Sequence, residues 1–415
     1  LGGSGNKTLA GATDINGNLT IGAPLVANNF NMTVAGNWNN TSTFTPGSNS
    51  VTFDGSGSQS ITKSGGETFN ILAISGSAIK TLGSAITANS NLTINSTLDV
   101  STSNYAITVK GNFSNNGTFT SQAGIVTFNG TIAQTIGGTS ITNFYSISQS
   151  NAAGVSLTQN QNLYGVLTIS AGTFTTTGYN FTLVSNASGT ASIGAITGTG
   201  NFAGNAIVQR YAGTGPTDWR FLGSPVASAT IADWADDFAT SGFTGSTDPT
   251  NPFISIYGYD ETQAGDANVY GYVAATNVTN AITVGKGYWV YLGPTPVTFE
   301  VTGTPNKLAQ SPTITYTNSG DINNDGWNLV ANPYPSAIDW NSAGWTKTNV
   351  DNAVYVYNSN TGSYASYVAG IGVNGGSNVI PSSQSFYVKA NAASPVLSMT
   401  ENIKTASAGT FLKTT

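Results

Sequence analysis

The second half of the chain contains one segment twice, and this duplication restricts the possible folds more than any other feature. The later copy, residues 326–340, reads GWNLVANPYPSAIDW, and the earlier copy begins WRFLGSP at residue 219 and ends in another Asp-Trp pair. The two copies continue in parallel, with residues 256–259 (IYGY) matching 354–357 (VYVY), and 282–290 (ITVGKGYWV) matching 380–388 (IPSSQSFYV) without a gap. Repetition on this scale predicts two copies of one structural module.

The first half contains a different and longer repeat. Four features recur after the same 75 residues: Gly36-Asn37-Trp38 as Gly111-Asn112-Phe113, Val51-Thr52-Phe53 as Val126-Thr127-Phe128, Ile61 as Ile136, and Phe69 as Phe144. A third, incomplete copy begins near Leu163. Within each copy, short alternating runs are separated by Gly, Asn or Ser, which predicts short strands joined by tight turns.

These patterns predict an all-β protein. For residues 1–205 we favour a right-handed parallel β-helix, or solenoid, because the strands are short and no Pro-rich linker separates the copies. Two β-sandwich-like modules follow, module A at 206–304 and module B at 305–404, since strands so rich in aromatic residues are typical of sandwich cores. Residues 405–415 are expected to be a linker to a further C-terminal region. The alternative is a series of β-sandwich modules throughout the chain.

Composition excludes several classes of function. Hydrophobic residues make up 39% of the chain, which favours an ordered fold. With no His and no Cys, catalysis by a His base and metal sites built on those residues are excluded. The formal net charge is -6 and no basic residues cluster, so nucleic acid is not an expected partner. No apolar run is long enough for a transmembrane helix.

One segment resembles a calcium-binding loop. Asp321, Asn323 and Asp325 occupy positions 1, 3 and 5 of such a loop, and Gly326 occupies position 6. Asn332 stands at position 12, where a bidentate Glu normally completes the site. We therefore expect at most weak Ca²⁺ binding and no other cofactor. A polar turn without a metal is the alternative.

Two Asp-Trp pairs are candidate glycan-binding residues, namely Asp233-Trp234 and Asp339-Trp340. A Trp ring can stack on a sugar while Asp accepts hydrogen bonds from its hydroxyl groups, although both Trp residues could instead fill the same position in two equivalent cores. Alternating tyrosines form a second candidate surface, with one face in the core and the other free to bind. They are Tyr257, Tyr259, Tyr270 and Tyr272 in module A and Tyr355, Tyr357, Tyr364 and Tyr367 in module B.

Catalysis in this chain would depend on carboxylate pairs. The candidates are Asp236 with Asp237, Asp260 with Glu261, and the aspartates of the two Asp-Trp pairs. Glycosidases use two carboxyl groups on either side of a sugar, but adjacent acids are more typical of a solvated surface. Together with the duplicated modules and the low charge, this favours a non-enzymatic protein.

The repeated motifs as a set resemble large surface proteins of Bacteroidetes that are exported by the type IX secretion system. The resemblance rests on the segment 326–340 and its earlier copy, on the Gly-Asn-Trp and Val-Thr-Phe repeats, and on the closing residues 399–404 and 409–412. It implies an extracellular or cell-surface protein, part of a longer chain that carries a C-terminal sorting domain. The implied partners are other surface proteins, the secretion machinery or a surface polysaccharide, and self-association is a further expectation.

Three functions are consistent with these features. The first is a non-enzymatic structural or adhesin-type surface protein. The second is a carbohydrate-binding module of a surface protein that processes polysaccharides. The third is a polysaccharide-active β-helix enzyme.

Overall fold

The chain divides into two compact units. The computed structural model describes residues 1–213, 215, 217–263, 271–293, 295–320, 323–407, 409 and 411. The solenoid unit comprises residues 1–182 and 197–204, and the module unit comprises residues 183–196 and 205–415. None of the helices among the described residues is long and apolar enough to cross a membrane.

The solenoid unit is built from parallel strands that pair with every third strand along the chain, in about nine turns. The strands are β1 (Lys7–Thr8), β2 (Thr13–Ile15), β3 (Leu19–Ile21), β4 (Leu25–Val26), β5 (Met32–Val34), β6 (Trp38–Asn40), β7 (Phe44–Thr45), β8 (Ser50–Phe53), β9 (Gln59–Lys63), β10 (Glu67–Phe69), β11 (Ile71–Ile74), β12 (Ile79–Leu82), β13 (Ile86–Ala88), β14 (Leu92–Ile94), β15 (Thr97–Asp99), β16 (Ile107–Val109), β17 (Phe113–Asn115), β18 (Thr118–Thr120), β19 (Ile125–Phe128), β20 (Gln134–Gly137), β21 (Thr142–Phe144), β22 (Ser146–Gln149), β23 (Val155–Leu157), β24 (Gln161–Leu163), β25 (Val166–Ile169), β26 (Thr173–Thr175), β27 (Phe181–Leu183) and, after an excursion, β31 (Asn201–Ala203). The expected parallel solenoid is confirmed, and sandwich modules beginning at the first residue are excluded.

Each turn of the solenoid has three faces. Face one runs from β2 through β5, β8 and every third strand to β26 and β31. Face two contains β3, β6, β9, β12, β15 and β18, followed by β21 and β24, and face three contains β1, β4 and β7, followed by β10, β13, β16, β19, β22 and β25. On face one the register stacks apolar side chains directly above one another, namely Met32, Val51, Leu72, Leu92, Phe113, Ile136 and Leu157. All are buried, as alternation along short strands requires.

The turns are held by asparagine side chains that reach the next coil. Asn18 Oδ1 accepts the backbone N–H of Asn37 at 2.8 Å, and Asn91 Oδ1 accepts that of Asn112 at the same distance. Inside the coil, the Gln59 side chain accepts from Gly55 N and donates to Val34 O, and Gln134 repeats both contacts with its own neighbours. Such bonds satisfy backbone groups that a tight turn leaves without a strand partner.

The 75-residue repeat is not a whole number of turns. Trp38 lies on β6 and its counterpart Phe113 on β17, and Ile61 lies on β9 and its counterpart Ile136 on β20, so each copy begins eleven strands later. Eleven strands at three per turn make three and two-thirds turns. Each motif therefore recurs on the neighbouring face. The local packing nevertheless repeats, because Trp38, Phe44, Phe53 and Phe69 form one aromatic cluster and Phe113, Phe119, Phe128 and Phe144 form its copy.

The module unit consists mainly of antiparallel sheets. Its elements are β28 (Ser185–Asn186), β29 (Gly189–Thr190), β30 (Ser192–Ile193), β32 (Ala206–Ala212), β33 (Asp218–Leu222), β34 (Val226–Ala227), α1 (Ala232–Ala235), β35 (Ile256–Tyr259), β36 (Tyr272–Ala274), β37 (Tyr288–Leu292), β38 (Val297–Pro305), β39 (Trp327–Ala331), β40 (Ala337–Asp339), β41 (Trp345–Thr348), β42 (Ala353–Asn358), β43 (Ser363–Val368), β44 (Ile371–Val373), β45 (Val379–Ile380), β46 (Ser385–Lys389), β47 (Val396–Met399), a 3₁₀ turn (Glu401–Ile403) and β48 (Lys404–Thr405).

The duplicated segments form equivalent sheets. Module A has the strand order β33-β37-β35-β36, and module B has the order β39-β46-β42-β43-β44. In module A the strand that contains Trp219, β33, pairs antiparallel with β37, and β35 pairs with the other edge of β37. In module B the strand that contains Trp327, β39, pairs antiparallel with β46, and β42 pairs with β46 in the same way. The sequence duplication is thus a duplication of topology.

Candidate ligand-binding pocket

The two Trp residues expected to bind glycans lie in the core. Trp234 and Trp340 are both 0% exposed. The Trp234 ring packs on Tyr288 at 5.8 Å between centroids, and the Trp340 ring packs on Phe386, the counterpart of Tyr288, at 6.0 Å. The rings occupy the same position in both modules and offer no face to a sugar, so the structure gives no support to a platform role for them.

The neighbouring aspartates hold turns. Asp233 accepts hydrogen bonds from Thr230 N at 2.8 Å and from Thr302 N at 3.2 Å. Asp339 accepts from Asn341 N at 2.9 Å and from Asn378 Nδ2 at 2.7 Å. These contacts give both aspartates a structural role that requires no ligand.

The segment that resembles a calcium loop is partly described. Asp321 lies outside the described residues. Asp325 is buried and accepts hydrogen bonds from the backbone and hydroxyl of Ser319, while the backbone carbonyl of Asn323 accepts from Trp327 Nε1 at 2.9 Å. No group of three acidic side chains that could hold a metal ion occurs among the residues that the structure describes. The calcium site stays a prediction, and the visible contacts are those of a turn that leads into β39.

The paired carboxylates differ in their surroundings. Glu261 is buried and accepts hydrogen bonds from Thr317 N at 2.6 Å and Gly326 N at 2.9 Å, so it links module A to module B. Asp237 accepts from Glu300 N at 2.6 Å. Burial is the main cause that raises the pKa of Asp237 to about 6, and the nearby charges of Asp236, Glu300 and Asp233 add to it. Both Glu261 and Asp237 therefore take part in structural hydrogen bonds.

Modules A and B meet through contacts that are reciprocal. Leu222 of A bridges to Gln384 of B, and the counterparts of these two residues, Val330 of B and Lys286 of A, bridge to each other. The backbone repeats the exchange, since Gly223 N donates to Ser383 O at 3.1 Å and Ala331 N donates to Gly285 O at 2.9 Å. Reciprocal contacts of this kind define a two-fold interface. The module unit thus resembles a dimer joined within one chain.

The same two-fold relation produces two equivalent sets of aromatic contacts, which touch one another where Tyr272 packs on Trp289 at 5.5 Å. In one set Tyr259 of A packs on Tyr387 of B at 5.1 Å, and in the other Tyr357 of B packs on Trp289 of A at 5.1 Å. Equivalent pairs flank them, with Trp327 on Tyr355 at 5.2 Å and Trp219 on Tyr257 at 5.8 Å. The sequence therefore supplies two versions of one aromatic arrangement.

The cluster around Tyr387 surrounds a cavity of about 350 Å³. A volume of this size is typical of small-ligand pockets. Its lining residues come from both modules and are Tyr259, Tyr272, Asn324, Trp327, Tyr355, Tyr364 and Tyr387.

The polar groups of this pocket, here called the tyrosine pocket, are uncharged. Tyr387 donates its hydroxyl hydrogen to the Tyr272 hydroxyl at 3.0 Å, and Tyr364, which is 42% exposed, adds a third hydroxyl to the lining. Burial raises the pKa of Tyr272, Tyr364 and Tyr387 above the ordinary phenol value. The three hydroxyl groups consequently stay protonated and neutral at physiological pH.

One difference between the modules lies beside the Trp of each sheet. In module A the Trp219 ring is covered by Tyr291 at 5.4 Å and by Phe253 at 5.7 Å. In module B the counterpart of Tyr291 is Lys389, whose Nζ lies 5.3 Å from the centroid of the Trp327 ring. A slender alkyl chain fills less space beside the indole than a phenol ring does.

The alternating tyrosines of the sequence include four residues of the tyrosine pocket, Tyr259, Tyr272, Tyr355 and Tyr364. Tyr270 lies outside the described residues. Sequence reasoning missed Trp327, Asn324 and Tyr387. Tyr387 could have been found as the counterpart of Trp289 in the ungapped match of 282–290 with 380–388.

Comparison with known proteins gives no relative: no protein-family model, curated protein or solved structure matches this chain.

Proposed function

We propose that this chain is a non-enzymatic, structural or adhesin-type surface protein. The observation that carries the proposal is the interior of the solenoid, which repeats rows of apolar side chains through about nine turns and binds the side chains of Gln59 and Gln134 to backbone groups in the same way. In such an array each coil is stabilised by its neighbours, so the solenoid becomes longer by the addition of coils, and no reactive group is needed. The solenoid then acts as a spacer, and the module unit, with sandwich-like modules, makes the contacts.

The sequence resemblance supports the location in this proposal. We infer an extracellular protein of a Bacteroidetes cell, exported by the type IX secretion system as part of a longer chain. Its partners are other surface proteins, the secretion machinery or a surface polysaccharide, and copies of the chain self-associate. Buried carboxylates bound by backbone N–H groups, such as Glu261, support a structural over a catalytic role.

Surface labelling of intact cells tests the location. An antibody against the solenoid unit should label unbroken cells, and brief protease treatment of those cells should remove the label. Labelling only after lysis would contradict the proposal.

A second experiment tests the absence of catalysis. Beads coated with the purified protein should adhere to cells or matrix of the source community, and the protein should release no reducing ends from a panel of polysaccharides. Release of sugars that disappears in a Glu261→Gln or Asp237→Asn variant would favour the enzyme instead.

A further inference from the structure

We propose that the tyrosine pocket binds a neutral saccharide, as the terminal or internal unit of a glycan. The pocket lies away from both Asp-Trp pairs. The proposal rests on the proposed surface function only for where the glycan is encountered, since binding itself depends on the pocket alone.

The walls of the tyrosine pocket suit the faces of a sugar ring. Trp327 and Tyr355 meet at an interplanar angle of 75°, and Tyr259 and Tyr387 meet at 83°. Rings set nearly perpendicular form adjoining walls instead of one closed stack, so a compact ligand can touch more than one of them. The Trp327 indole is fixed by its bond to Asn323 O, which lowers the entropy lost on binding.

The polar groups of the tyrosine pocket suit the edge of a sugar ring. The hydroxyl groups of Tyr387, Tyr272 and Tyr364 can both donate and accept hydrogen bonds, and Asn324 adds an amide to the lining. None of the lining residues carries a charge at physiological pH. A ligand with apolar faces and neutral hydroxyl edges matches both sets of groups.

Other ligands of aromatic pockets fit less well. A quaternary ammonium ion is bound by aromatic cages, but here the Lys389 ammonium already lies over the Trp327 ring and would repel a second cation. Proline-rich peptides bind along extended aromatic grooves, whereas this site is a cavity of about 350 Å³. Nucleobases also stack on aromatic rings, but the net charge of -6 disfavours a phosphate backbone.

The two-fold relation supplies a matched control. Tyr355 lines the tyrosine pocket, whereas its counterpart Tyr257 packs on Trp219 in the other set of aromatic contacts, is absent from the pocket lining and touches the pocket only through Tyr272, at 6.2 Å between centroids. Tyr355→Ala and Tyr257→Ala remove the same ring from equivalent strands. Tyr364→Phe removes one hydroxyl from an exposed ring, so it tests the polar edge even if Tyr355→Ala should fail to fold.

The experiment titrates the full chain with neutral oligosaccharides of glucose, xylose, mannose, galactose and N-acetylglucosamine, followed by calorimetry and intrinsic fluorescence. Choline and a proline-rich peptide are titrated in parallel. We expect saturable binding of at least one saccharide, weakened at least about tenfold by Tyr355→Ala, several-fold by Tyr364→Phe, and much less by Tyr257→Ala than by Tyr355→Ala.

Three outcomes would overturn the proposal: no saccharide binds to the folded protein, choline or the peptide binds in place of every saccharide, or Tyr257→Ala weakens binding as much as Tyr355→Ala does. If the surface location holds and no saccharide binds, only the pocket assignment fails. If a saccharide binds and intact cells are not labelled, only the proposed surface function fails.

Discussion

At the scale of single residues, the solenoid contains its own pair of compensating substitutions. Trp38 donates its indole N–H to Glu67 at 2.7 Å, and Asn40 donates to the same oxygen at 2.7 Å. In the next copy Phe113 has no N–H to satisfy, and the position of Glu67 is taken by Thr142. The buried carboxylate of Glu67 thus occurs in the copy where the Trp38 indole supplies an additional hydrogen-bond donor.

This pairing predicts non-additive effects of mutation. Glu67→Thr alone should destabilise the protein by about 2 kcal/mol or more, because the buried indole N–H and the Asn40 amide lose their acceptor. Trp38→Phe alone removes one donor from a buried carboxylate. The double variant restores the arrangement of the second copy, so we expect a coupling energy of about 1 kcal/mol, measured by urea unfolding followed by circular dichroism.

The second copy provides the reverse test of that pairing. Thr142→Glu should cost less stability when combined with Phe113→Trp than when made alone. Additive effects in both copies, within about 0.5 kcal/mol, would show that the two positions are independent.

Asp237 predicts a local dependence of stability on pH. Its pKa in the folded protein is about 6, above the unfolded value of about 3.9. The folded state therefore binds the Asp237 proton more tightly than the unfolded state does. The resulting contribution to the free energy of unfolding is complete below about pH 4 and is lost as the pH rises through 6. Asp237→Asn should remove this dependence and stabilise the protein at pH 7 by on the order of 1 kcal/mol, after allowance for solvent screening.

Melting curves of both proteins at pH 4, 5, 6 and 7 measure the effect. The difference in Tm between Asp237→Asn and the parent should grow with pH. A constant difference would mean that the Asp237 carboxyl has the same pKa in both states.

At the scale of strands, the contact between modules A and B depends on glycine. A Cβ built on Gly223 would lie 2.2 Å from Cβ of Ala331, the counterpart of Gly223 in module B, and one built on Gly287 would lie 2.5 Å from Cγ of Leu329. Reciprocal strands approach one another here more closely than two side chains allow. Glycine in module A against a small residue in module B resolves the clash.

Gly223→Ala should therefore destabilise the protein by about 1–3 kcal/mol through overpacking. Gly293→Ala is the matched control, because its Cβ would have no atom within 4 Å. That control should be neutral or stabilising by up to about 1 kcal/mol, since alanine lowers the entropy of the unfolded chain. Thermal unfolding of the two variants compares them directly, and equal effects would exclude a close contact at Gly223.

The sequence predicted the strands but not the faces on which they lie. Alternation in segments such as Leu19 to Ile21 indicates which side chain is buried, and the parallel solenoid was predicted from short strands and Asn-rich turns. The number of strands per turn is set by long-range pairing such as Leu92 with Phe113, which leaves no local signal. A 75-residue period therefore could not reveal three faces.

For the tyrosine pocket, too, the sequence indicated features that depend on neighbouring residues but not contacts between distant segments. Strand spacing singled out Tyr259 and Tyr355, but the contact of Tyr259 with Tyr387 depends on the interface between modules. Most of the strongest motif, residues 326–340, proved to be core, since the Asn332 amide is bonded to the backbone carbonyls of Ser336, Ile380 and Pro381 and Tyr334 is fully buried. Trp327 of the same motif lines the tyrosine pocket. Repetition in the sequence indicates residues that the fold requires, and it does not distinguish those that bind a ligand.

At the scale of the whole solenoid, two different units repeat, namely the turn of three strands and the sequence repeat of eleven strands. Either of them could be the unit that stabilises the solenoid. Deleting residues 37–111 joins Gly36 to Asn112 and removes one full repeat. Phe113 would then stack on Leu19 as Trp38 does, since Leu19 pairs with Trp38 and Leu92 with Phe113 in the same way. Every later strand of the solenoid moves to the neighbouring face, yet its local contacts are those of the native repeat.

Deleting residues 38–99 provides the contrast, because it removes three turns and leaves Val100, the register equivalent of Trp38, in place of Trp38 on the same face. We expect the 37–111 deletion to unfold at the higher urea concentration although it removes more chain, because its junction reproduces native contacts. Its m-value should fall in proportion to the surface lost. If the 38–99 deletion is the more stable, position on a face matters more than the neighbours supplied by the repeat, and the turn is the unit that stabilises the solenoid.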